Sequence, residues 1–296
     1  MRYYGALEAG GTKMVAAVFD ETGAIVEREK FPTRTPAETM PELIGYFQKF
    51  SLTSIGVASF GPVDLNPASP TYGYITATPK LAWRNYPIRT EFLKALNVPV
   101  GFDTDVNAAA LAEATLGAGK GLENCIYVTV GTGIGGGVII HGRPVHGLIH
   151  SEIGHIPVQV APDDPMPQGN CPYHGPCMEG MAAGPAIEKR WGVHARELPP
   201  EHPAWALESD YLAQLCANAM YTFSPEIIIL GGGVMQQAFL FPLIRQKTVS
   251  KLNGYLCHPA IDNGLTDYIV PPGLGTESGI TGAYLLAREA GKPSEG

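Results

Sequence analysis

Two glycine-rich segments of this chain each lie between apolar runs that are typical of β-strands. The first has the sequence EAGGTK at residues 8–13, between apolar runs at 3–7 and 14–19, and the second has GTGIGGG at residues 131–137. Because no helical periodicity interrupts either segment, each predicts a β-hairpin with a glycine-lined tip. Glycine lets backbone N–H groups approach an anion closely, so two matched hairpins predict two related halves that hold a nucleotide.

Other interpretations of these glycines are weaker. Turn glycines are common, so either hairpin alone could be a turn without a ligand. Residues 131–136 also satisfy the G-x-G-x-x-G pattern of dinucleotide-binding proteins, but that pattern must open a helix, and residues 137–140 are strand formers. A third glycine-rich loop, LGGGV at 230–234, follows an apolar strand pattern and could pass close to a nucleoside.

The composition limits the classes of partner. The chain has 296 residues, of which 16% are charged, and a net charge of -8. Nucleic acids and membrane surfaces would need a basic face, so neither is expected to bind. No apolar run approaches the roughly 18 residues of a membrane span, and the first strand pattern begins at Tyr3 with no signal-peptide pattern before it. Five cysteines do not form a disulfide framework, so we expect a cytoplasmic protein.

Strand and helix patterns alternate along the chain and predict an α/β fold. We predict a smaller N-terminal α/β domain at residues 1–115 and a larger α/β domain at 116–296. A final helix at about 279–290 could pack back on the first domain. Residues 156–177 interrupt the pattern with six prolines, and structureless segments of that length are uncommon unless they are functional.

The segment FDTDVNA at 102–108 lies where a strand pattern ends and a helix pattern begins. Ligands of α/β proteins bind beyond the carboxyl ends of strands. Phosphoryl transfer to an alcohol needs a carboxylate that accepts the hydroxyl proton, and Asp105 is the natural candidate. Two alternatives stay open: Asp105 could simply cap the helix, or Asp103 could be the base.

A cluster of histidine and cysteine residues brackets the proline-rich segment. The candidate metal ligands are His155, Cys171, His174 and Cys177. Two cysteines and two histidines suit tetrahedral zinc, and four protein ligands leave no open position, so the zinc would be structural and would order the loop 155–177. The compact Cys-x2-His-x2-Cys spacing favours a metal over unrelated side chains. The first ligand is open, because other histidines lie nearby: His141, His146 and His150.

The remaining side chains of interest lie beside these ligands or far from them. Glu152 comes three residues before His155, and Glu179 comes two residues after Cys177. A metal that fixes the ligands would also fix these carboxylates, which could bind sugar hydroxyls. Taken alone, each would be interpreted as a surface acid. The widely spaced cysteines outside the cluster are expected to be buried apolar residues: Cys125, Cys216 and Cys257.

In their order along the chain, these motifs resemble those of the ROK family of bacterial sugar kinases. The resemblance implies a two-domain actin-like ATPase fold with a cleft between the domains. Residues 8–13 and 131–137 are similar to the two phosphate motifs of the family, and residues 230–233 to its adenosine motif. By the same resemblance, Asp105 occupies the position of the catalytic aspartate of the family. The repressors of the family carry an N-terminal helix-turn-helix, for which we expect no room before Tyr3.

Within the family, residues 8–13, 103–109 and the TPK segment at 78–80 with Trp83 are similar to the fructokinase branch. The resemblance implies ATP-dependent phosphorylation of D-fructose to D-fructose 6-phosphate, with Asp105 as general base. A kinase for mannose, glucose or an amino sugar is the nearer alternative. A non-catalytic sugar sensor is the farther one.

The resemblance also assigns roles to individual residues. Sugar contacts are implied for Asp105, Thr104, Glu152, His155 and Glu179. Nucleotide contacts are implied for Gly10, Gly11, Thr12, Lys13, Thr132, Gly133, Gly232 and Gly233. The implied cofactors are ATP, Mg2+ and structural Zn2+, and the implied assembly is a homodimer. Glu8 stands where the family usually has aspartate, so its relation to Mg2+ or phosphate is open.

Overall fold

The protein, described here by a computed structural model of residues 1–292, divides into two compact units. The first unit comprises Met1–Ala112, Pro144–His150 and the segment that begins at Glu277. The second unit comprises Glu113–Arg143 and Ser151–Thr276. Each unit is built around its own five-stranded sheet.

The sheet of the first unit has the strand order β3-β2-β1-β4-β5. Its strands are β1 (Tyr3–Ala9), β2 (Lys13–Asp20), β3 (Ile25–Pro32), β4 (Leu52–Ser59) and β5 (Val100–Thr104). The first three form an antiparallel meander, and β4 and β5 run parallel to β1. Charged, exposed side chains mark β3 as the edge strand, which discourages pairing with other chains.

The sheet of the second unit has the order β10-β9-β6-β7-β8. Its strands are β6 (Cys125–Val130), β7 (Ile134–Ile140), β8 (Arg143–Pro144), β9 (Ile227–Gly231) and β10 (Ile269–Val270). The β6 and β7 strands form an antiparallel hairpin, and β9 runs parallel to β6. The tip of the first hairpin is therefore residues 10–12, between β1 and β2, and the tip of the second is residues 131–133, between β6 and β7. The remaining glycines of the second segment, at 135–137, lie within β7.

Nine helices are described in residues 1–292. They are α1 (Pro36–Phe47), α2 (Ile88–Leu96), α3 (Asp105–Leu116), α4 (Met178–Ala182), α5 (Gly184–Trp191), α6 (Ala204–Phe223), α7 (Leu240–Leu252), α8 (Pro259–Asp262) and α9 (Ser278–Ala290). A capping box formed by Thr35 and Glu38, with Pro36 at the first helical position, begins α1. Within the described part of the chain, no helix has the length and apolarity needed to cross a membrane.

Helix α9 packs on the first sheet at unusually short range. A Cβ atom at Gly56 of β4 would lie 1.9 Å from the carbonyl oxygen of Ala283. A Cβ atom at Gly101 of β5 would lie 2.3 Å from the carbonyl oxygen of Leu286. Real Cβ atoms do not approach backbone so closely, so glycine at both positions is required for this packing.

The segment Pro144–His150 belongs to the first unit, although the sequence analysis assigned it to the domain at 116–296. Two histidines explain the difference. The Nε2 atom of His146 lies 2.9 Å from Oδ2 of Asp103, and Nε2 of His150 accepts a hydrogen bond from the Val63 N–H at 3.1 Å. The first of the three segments of this unit ends at Ala112, inside α3, whereas the predicted domain boundary is at residue 115.

The sequence predicts one helix over residues 178–191, but the structure breaks it into α4 and α5 at Ala183, whose φ and ψ are -71° and 156°. Pro185 causes the break, because it has no N–H to donate to the carbonyl of Met181. The Arg190 guanidinium donates to that carbonyl instead, through Nη2 at 2.9 Å.

The proline-rich segment has no regular structure but is anchored by a buried polar group, Asp164. Its Oδ1 atom accepts from Nε of Arg190 at 2.9 Å, and its Oδ2 atom accepts from the Tyr211 hydroxyl at 2.6 Å. Both ionic side chains are 1% exposed or less. This paired buried charge connects the segment to Arg190 of α5 and Tyr211 of α6.

A second carboxyl group lies nearby in α6. Glu208 is 1% exposed, and neither of its carboxyl oxygens has a hydrogen-bond partner among residues 1–292. Burial raises the pKa of Glu208 well above its ordinary value of 4.5, and the charge of Arg190 opposes that rise only in part. Glu208 therefore keeps its proton in the folded protein over a range in which the unfolded chain has lost it.

We expect Glu208→Gln to raise the free energy of unfolding by about 1–3 kcal/mol at pH 8. Near pH 4, where Glu208 is protonated in both states, the variant and the wild type should have nearly equal free energies of unfolding. In the wild type, stability falls as the pH rises above 4.5, because the unfolded state then releases a proton that the folded state retains. Urea unfolding at several pH values measures this difference. Glu201→Gln, at an exposed position, is the control. A gain that does not depend on pH would contradict the prediction.

Candidate functional site

Three consecutive polar side chains, beginning with Asp103, lie at the junction of β5 and α3. This carboxylate is 3% exposed, and its Oδ1 atom accepts hydrogen bonds from the Thr104 N–H and from Nδ2 of Asn107, both at 2.7 Å. Its Oδ2 atom is bonded to His146, and that hydrogen bond raises the pKa of the imidazole while burial opposes the rise. Both oxygens of Asp103 are thus engaged, which makes it a poor general base.

Thr104 and Asp105 have different roles at the start of α3. The Thr104 hydroxyl accepts from the Asn107 N–H at 3.0 Å and caps the helix, with the side chain 2% exposed. Asp105 is half-buried, and its Oδ1 atom accepts from the N–H of the next residue, Val106, at 3.0 Å. Thr104 is therefore the cap of α3, and the assignment of Asp105 as the base stays a prediction. The predicted sugar contact of Thr104 stays a prediction.

In the first hairpin, Thr33 holds the carbonyl groups of the tip. Its hydroxyl donates to the Gly10 carbonyl at 2.7 Å, and its N–H donates to the Thr12 carbonyl at 3.0 Å. The Gly10 N–H donates to the carbonyl of Lys13. Among residues 1–292, the N–H groups of Gly11 and Thr12 have no hydrogen-bond acceptor. The tip therefore has N–H groups available for an anion.

Glu8 lies at the end of β1, just before this tip. Burial raises the pKa of its carboxyl, and the charge of Lys13 opposes that rise. A Cβ atom at Gly279, in the first turn of α9, would lie 2.6 Å from Cδ of Glu8. The absence of a side chain at Gly279 therefore provides the space for glutamate, which is longer than aspartate.

The second hairpin is stabilised from α4 and α5. The Gly184 N–H donates to the Gly131 carbonyl at 2.8 Å, and the Ile134 N–H donates to Oε2 of Glu179 at 2.9 Å. A Cβ atom at Gly133 would lie 2.6 Å from the same oxygen. Glu179 thus contacts the second hairpin directly, a contact that its spacing in the sequence does not reveal.

Glu152 is a second carboxylate in the same unit. Burial and, to a smaller extent, the charge of Glu179 raise the pKa of Glu152 to about 7. The Glu152 carbonyl accepts from the N–H of His155 at 2.9 Å, which begins a 3₁₀ turn over Ile153–His155. The effect of Glu179 on the pKa of Glu152 indicates that the two side chains are close. Carboxyl oxygens can accept hydrogen bonds from hydroxyl groups, and the predicted sugar contacts of both residues stay predictions.

The four candidate metal ligands come together. One ligand atom from each of His155, Cys171, His174 and Cys177 lies within 4.8 Å of the other three. The Nδ1 atom of His155 is 3.6 Å from Sγ of Cys177 and 3.9 Å from Sγ of Cys171. Tetrahedral zinc would separate a sulfur and a nitrogen ligand by about 3.6 Å, so the set fits zinc.

Of the histidines considered for the first ligand, only His155 lies with the other three candidate ligands in the part of the chain that the structure describes. His146 and His150 bind groups of the first unit, and His141 is exposed beside Glu123. Of the cysteines outside the cluster, Cys125 and Cys216 are buried as predicted. The prediction is wrong for Cys257, which is exposed in a loop after α7.

The third glycine-rich loop follows β9. Gly232 has a φ of +91°, and a Cβ atom there would lie 2.5 Å from the Val130 nitrogen at the end of β6. Glycine is required at this position, because the backbone passes so close to the neighbouring strand. Nothing lies within 4 Å of a Cβ atom at Gly233. The nucleoside contact of Gly232 and Gly233 stays a prediction.

Comparison with known proteins identifies the family. The ROK family model matches residues 4–290. The chain belongs to the ROK family. It is 46% identical to a fructokinase of Pediococcus pentosaceus over 97% of this chain and 98% of the relative. It is 44% identical to a fructokinase of Zymomonas mobilis over 98% of this chain and 97% of that relative. Among solved structures, the ROK hexokinase of Thermus thermophilus matches with a TM-score of 0.77 at 28% identity, over 97% and 98% of the two chains.

These matches confirm the predicted family and the predicted α/β fold class. The sequence analysis missed two side chains of this ROK protein that organise its site. Thr33 was not singled out, and His146 was considered only as an alternative metal ligand. No spacing rule relates Thr33 to the hairpin tip or His146 to Asp103, because the contacts depend on how the strands are ordered.

The cap assigned to Thr104 is testable with a matched pair of variants. We expect Thr104→Val, which keeps the shape but loses the hydroxyl acceptor, to lower the free energy of unfolding by about 1 kcal/mol. Thr104→Ser keeps the hydroxyl acceptor, so its free energy of unfolding should fall clearly less. Urea unfolding measures both. A loss that is larger in Thr104→Ser than in Thr104→Val would indicate that the methyl group, rather than the cap, matters at this position.

Proposed function

We propose that this chain is an ATP-dependent fructokinase, which converts D-fructose to D-fructose 6-phosphate. The observation that carries the proposal is the β5–α3 junction, where Asp105 is half-buried while both oxygens of Asp103 are engaged. The choice of fructose is supported by the two fructokinases that are 46% and 44% identical to nearly the whole chain.

In the proposed reaction, Asp105 accepts the proton of the 6-hydroxyl as this oxygen bonds to the γ-phosphorus of ATP. The bond between that phosphorus and the β,γ-bridging oxygen breaks, and ADP leaves. The amino end of α3 favours the ionised form of Asp105, which must accept a proton. Glu152, His155 and Glu179 bind the sugar, and Thr104 supports Asp105 by capping α3.

The nucleotide is assigned to the glycine-rich segments. In this proposal its phosphates are bound by Gly10, Gly11, Thr12, Lys13, Thr132 and Gly133, and its nucleoside by Gly232 and Gly233. Mg2+ bound with ATP neutralises phosphate charge, and the Glu8 carboxylate is a suitable oxygen ligand for such a hard cation.

The sugar is identified by measuring ADP release with Mg-ATP and fructose, mannose, glucose or N-acetylglucosamine. We expect kcat/KM to be highest for fructose. A preference for another hexose would keep the mechanism and change the substrate. Binding of a sugar without turnover of any of them would favour a non-catalytic sensor.

We expect Asp105→Asn to lower kcat by roughly 10²–10⁴-fold, because the amide cannot accept the hydroxyl proton. Fructose binding, measured by calorimetry, should change little. Asp103→Asn is the contrasting variant, and we expect its kcat to fall less because Asp103 is structural. A larger loss for Asp103→Asn would assign the base to that residue instead.

We also propose that the cluster of two histidines and two cysteines binds structural Zn2+. We expect Cys177→Ser to lose the bound zinc, measured by elemental analysis, and to make residues 156–177 more sensitive to proteolysis. Cys257→Ser is the control, because Cys257 is exposed and lies outside the cluster. Zinc that survives undiminished in Cys177→Ser would remove Cys177 from the ligand set.

Two further assignments belong to the same proposal. A cytoplasmic location suits the cysteines, all five of which are free of disulfides, because zinc-binding thiolates persist in a reducing compartment. A homodimer is the assembly that the family resemblance implies. Sedimentation of the zinc-loaded protein measures that assembly directly.

A further inference from the structure

The loop between β4 and α2 presents Lys80 on a rigid support. Trp83, three residues later, is 1% exposed, and its indole N–H donates to the Arg34 carbonyl at 2.7 Å. The Lys80 N–H donates to the hydroxyl of buried Thr78 at 3.3 Å, and the Lys80 carbonyl accepts from the Trp83 N–H at 2.8 Å. The backbone of Lys80 is thus held on both sides.

The Lys80 side chain extends over the tip of the first hairpin. A Cβ atom at Gly11 would lie 3.1 Å from Cε of Lys80 and 4.0 Å from its Cδ. Lys80 is half-buried, and no carboxylate of residues 1–292 lies within ion-pair distance of its ammonium. A half-buried ammonium without a counter-charge, beside the N–H groups of Gly11 and Thr12, forms a site for an anion.

The strand order indicates which anion. Ala9 of β1 pairs with Ser59 of β4, and Ser59 pairs with Thr104 of β5. Three adjacent strands therefore end side by side, about 5 Å apart, and they lead into the first hairpin tip, the loop with Lys80, and Asp105. The lysine loop is the middle of the three. The phosphoryl group that passes from ATP to an acceptor oxygen at Asp105 must lie between the hairpin tip and Asp105.

We infer that Lys80 binds the γ-phosphoryl group of ATP during its transfer to the sugar, an inference that rests on the proposed kinase function. The Lys80 side chain forms no covalent bond. The proton of the hydroxyl goes to Asp105, and the phosphoryl group exchanges its bond to ADP for a bond to the sugar oxygen. Lys80 balances the negative charge on the equatorial phosphoryl oxygens, which a loose transition state requires.

The test compares two nucleotides that differ in the γ-phosphoryl group. Calorimetry with Mg2+ measures the Kd of ADP and of the non-hydrolysable β,γ-imido analogue of ATP for the wild type and for Lys80→Met. We expect the variant to bind the analogue about 10–100-fold more weakly, the usual effect of losing one charged hydrogen bond. ADP binding should stay within about twofold, and kcat should fall at least as much as analogue binding.

Two further variants complete the design. Lys80→Arg keeps the charge and should restore part of the preference for the analogue over ADP. Lys30→Met makes the same change in net charge on edge strand β3 of the same unit and should leave both affinities unchanged. Methionine keeps an unbranched stem over Gly11, and equal melting temperatures of Lys80→Met and wild type would exclude misfolding.

Each other outcome has a definite meaning. Equal losses for ADP and the analogue, or no loss for either, would overturn the inference. A matching loss in Lys30→Met would attribute the effect to net charge and would also overturn it. Because no sugar is present in these titrations, a selective loss of analogue binding would support Lys80 even if fructose proved not to be the substrate.

Discussion

The direct contact of helix α9 with the first sheet is the constraint on which the site of the first unit depends. Glycines at positions 56 and 101 allow the helix backbone to touch β4 and β5. A third glycine, Gly282 in the helix itself, faces α3, where a Cβ atom would lie 2.0 Å from the Ala108 carbonyl oxygen. The helix therefore fixes β5 and α3 against each other at backbone distance. The junction that carries Asp105 lies between these two elements.

Hydrogen bonds between buried polar groups fix the structure around that junction. Asp103 connects the end of β5, the first turn of α3 and the segment of His146 through hydrogen bonds to both of its oxygens. A buried carboxylate is costly unless every acceptor is used, and here both oxygens are. The tip of the first hairpin also has its carbonyl groups paired, because Thr33 donates to the carbonyls of Gly10 and Thr12. The N–H groups of Gly11 and Thr12 remain available.

Local features of the sequence predicted the local structure well. Apolar runs beside the glycines predicted both hairpins, and the start of α1 is set locally by the capping box at Thr35 and Glu38. The metal-ligand spacing predicted a cluster that the fold does bring together. The break at Ala183 was missed even though Pro185 was visible, because the helical pattern continues on both sides of it.

Contacts between distant parts of the chain were not predictable in this way. Lys80 meets Gly11 because their loops emerge at the same edge of one sheet. His146 meets Asp103 because the segment Pro144–His150 packs within the first unit. Strand order decides which loops become neighbours, and no periodicity of the sequence encodes that order. Residue type alone could not separate Thr104 from Asp105 as the cap, since threonine and aspartate cap helices comparably.

The position of α9 in the sequence has a consequence for how the protein is made. The chain passes through Glu113–Arg143 and Ser151–Thr276 of the second unit before it reaches the helix that covers β4 and β5. At roughly 5–20 residues per second, a ribosome needs about 10–30 seconds to translate that stretch. During this interval the glycine-marked face of the first sheet has no helix upon it. The unit that begins first is thus completed last, and nascent chains at this stage should depend most on chaperones.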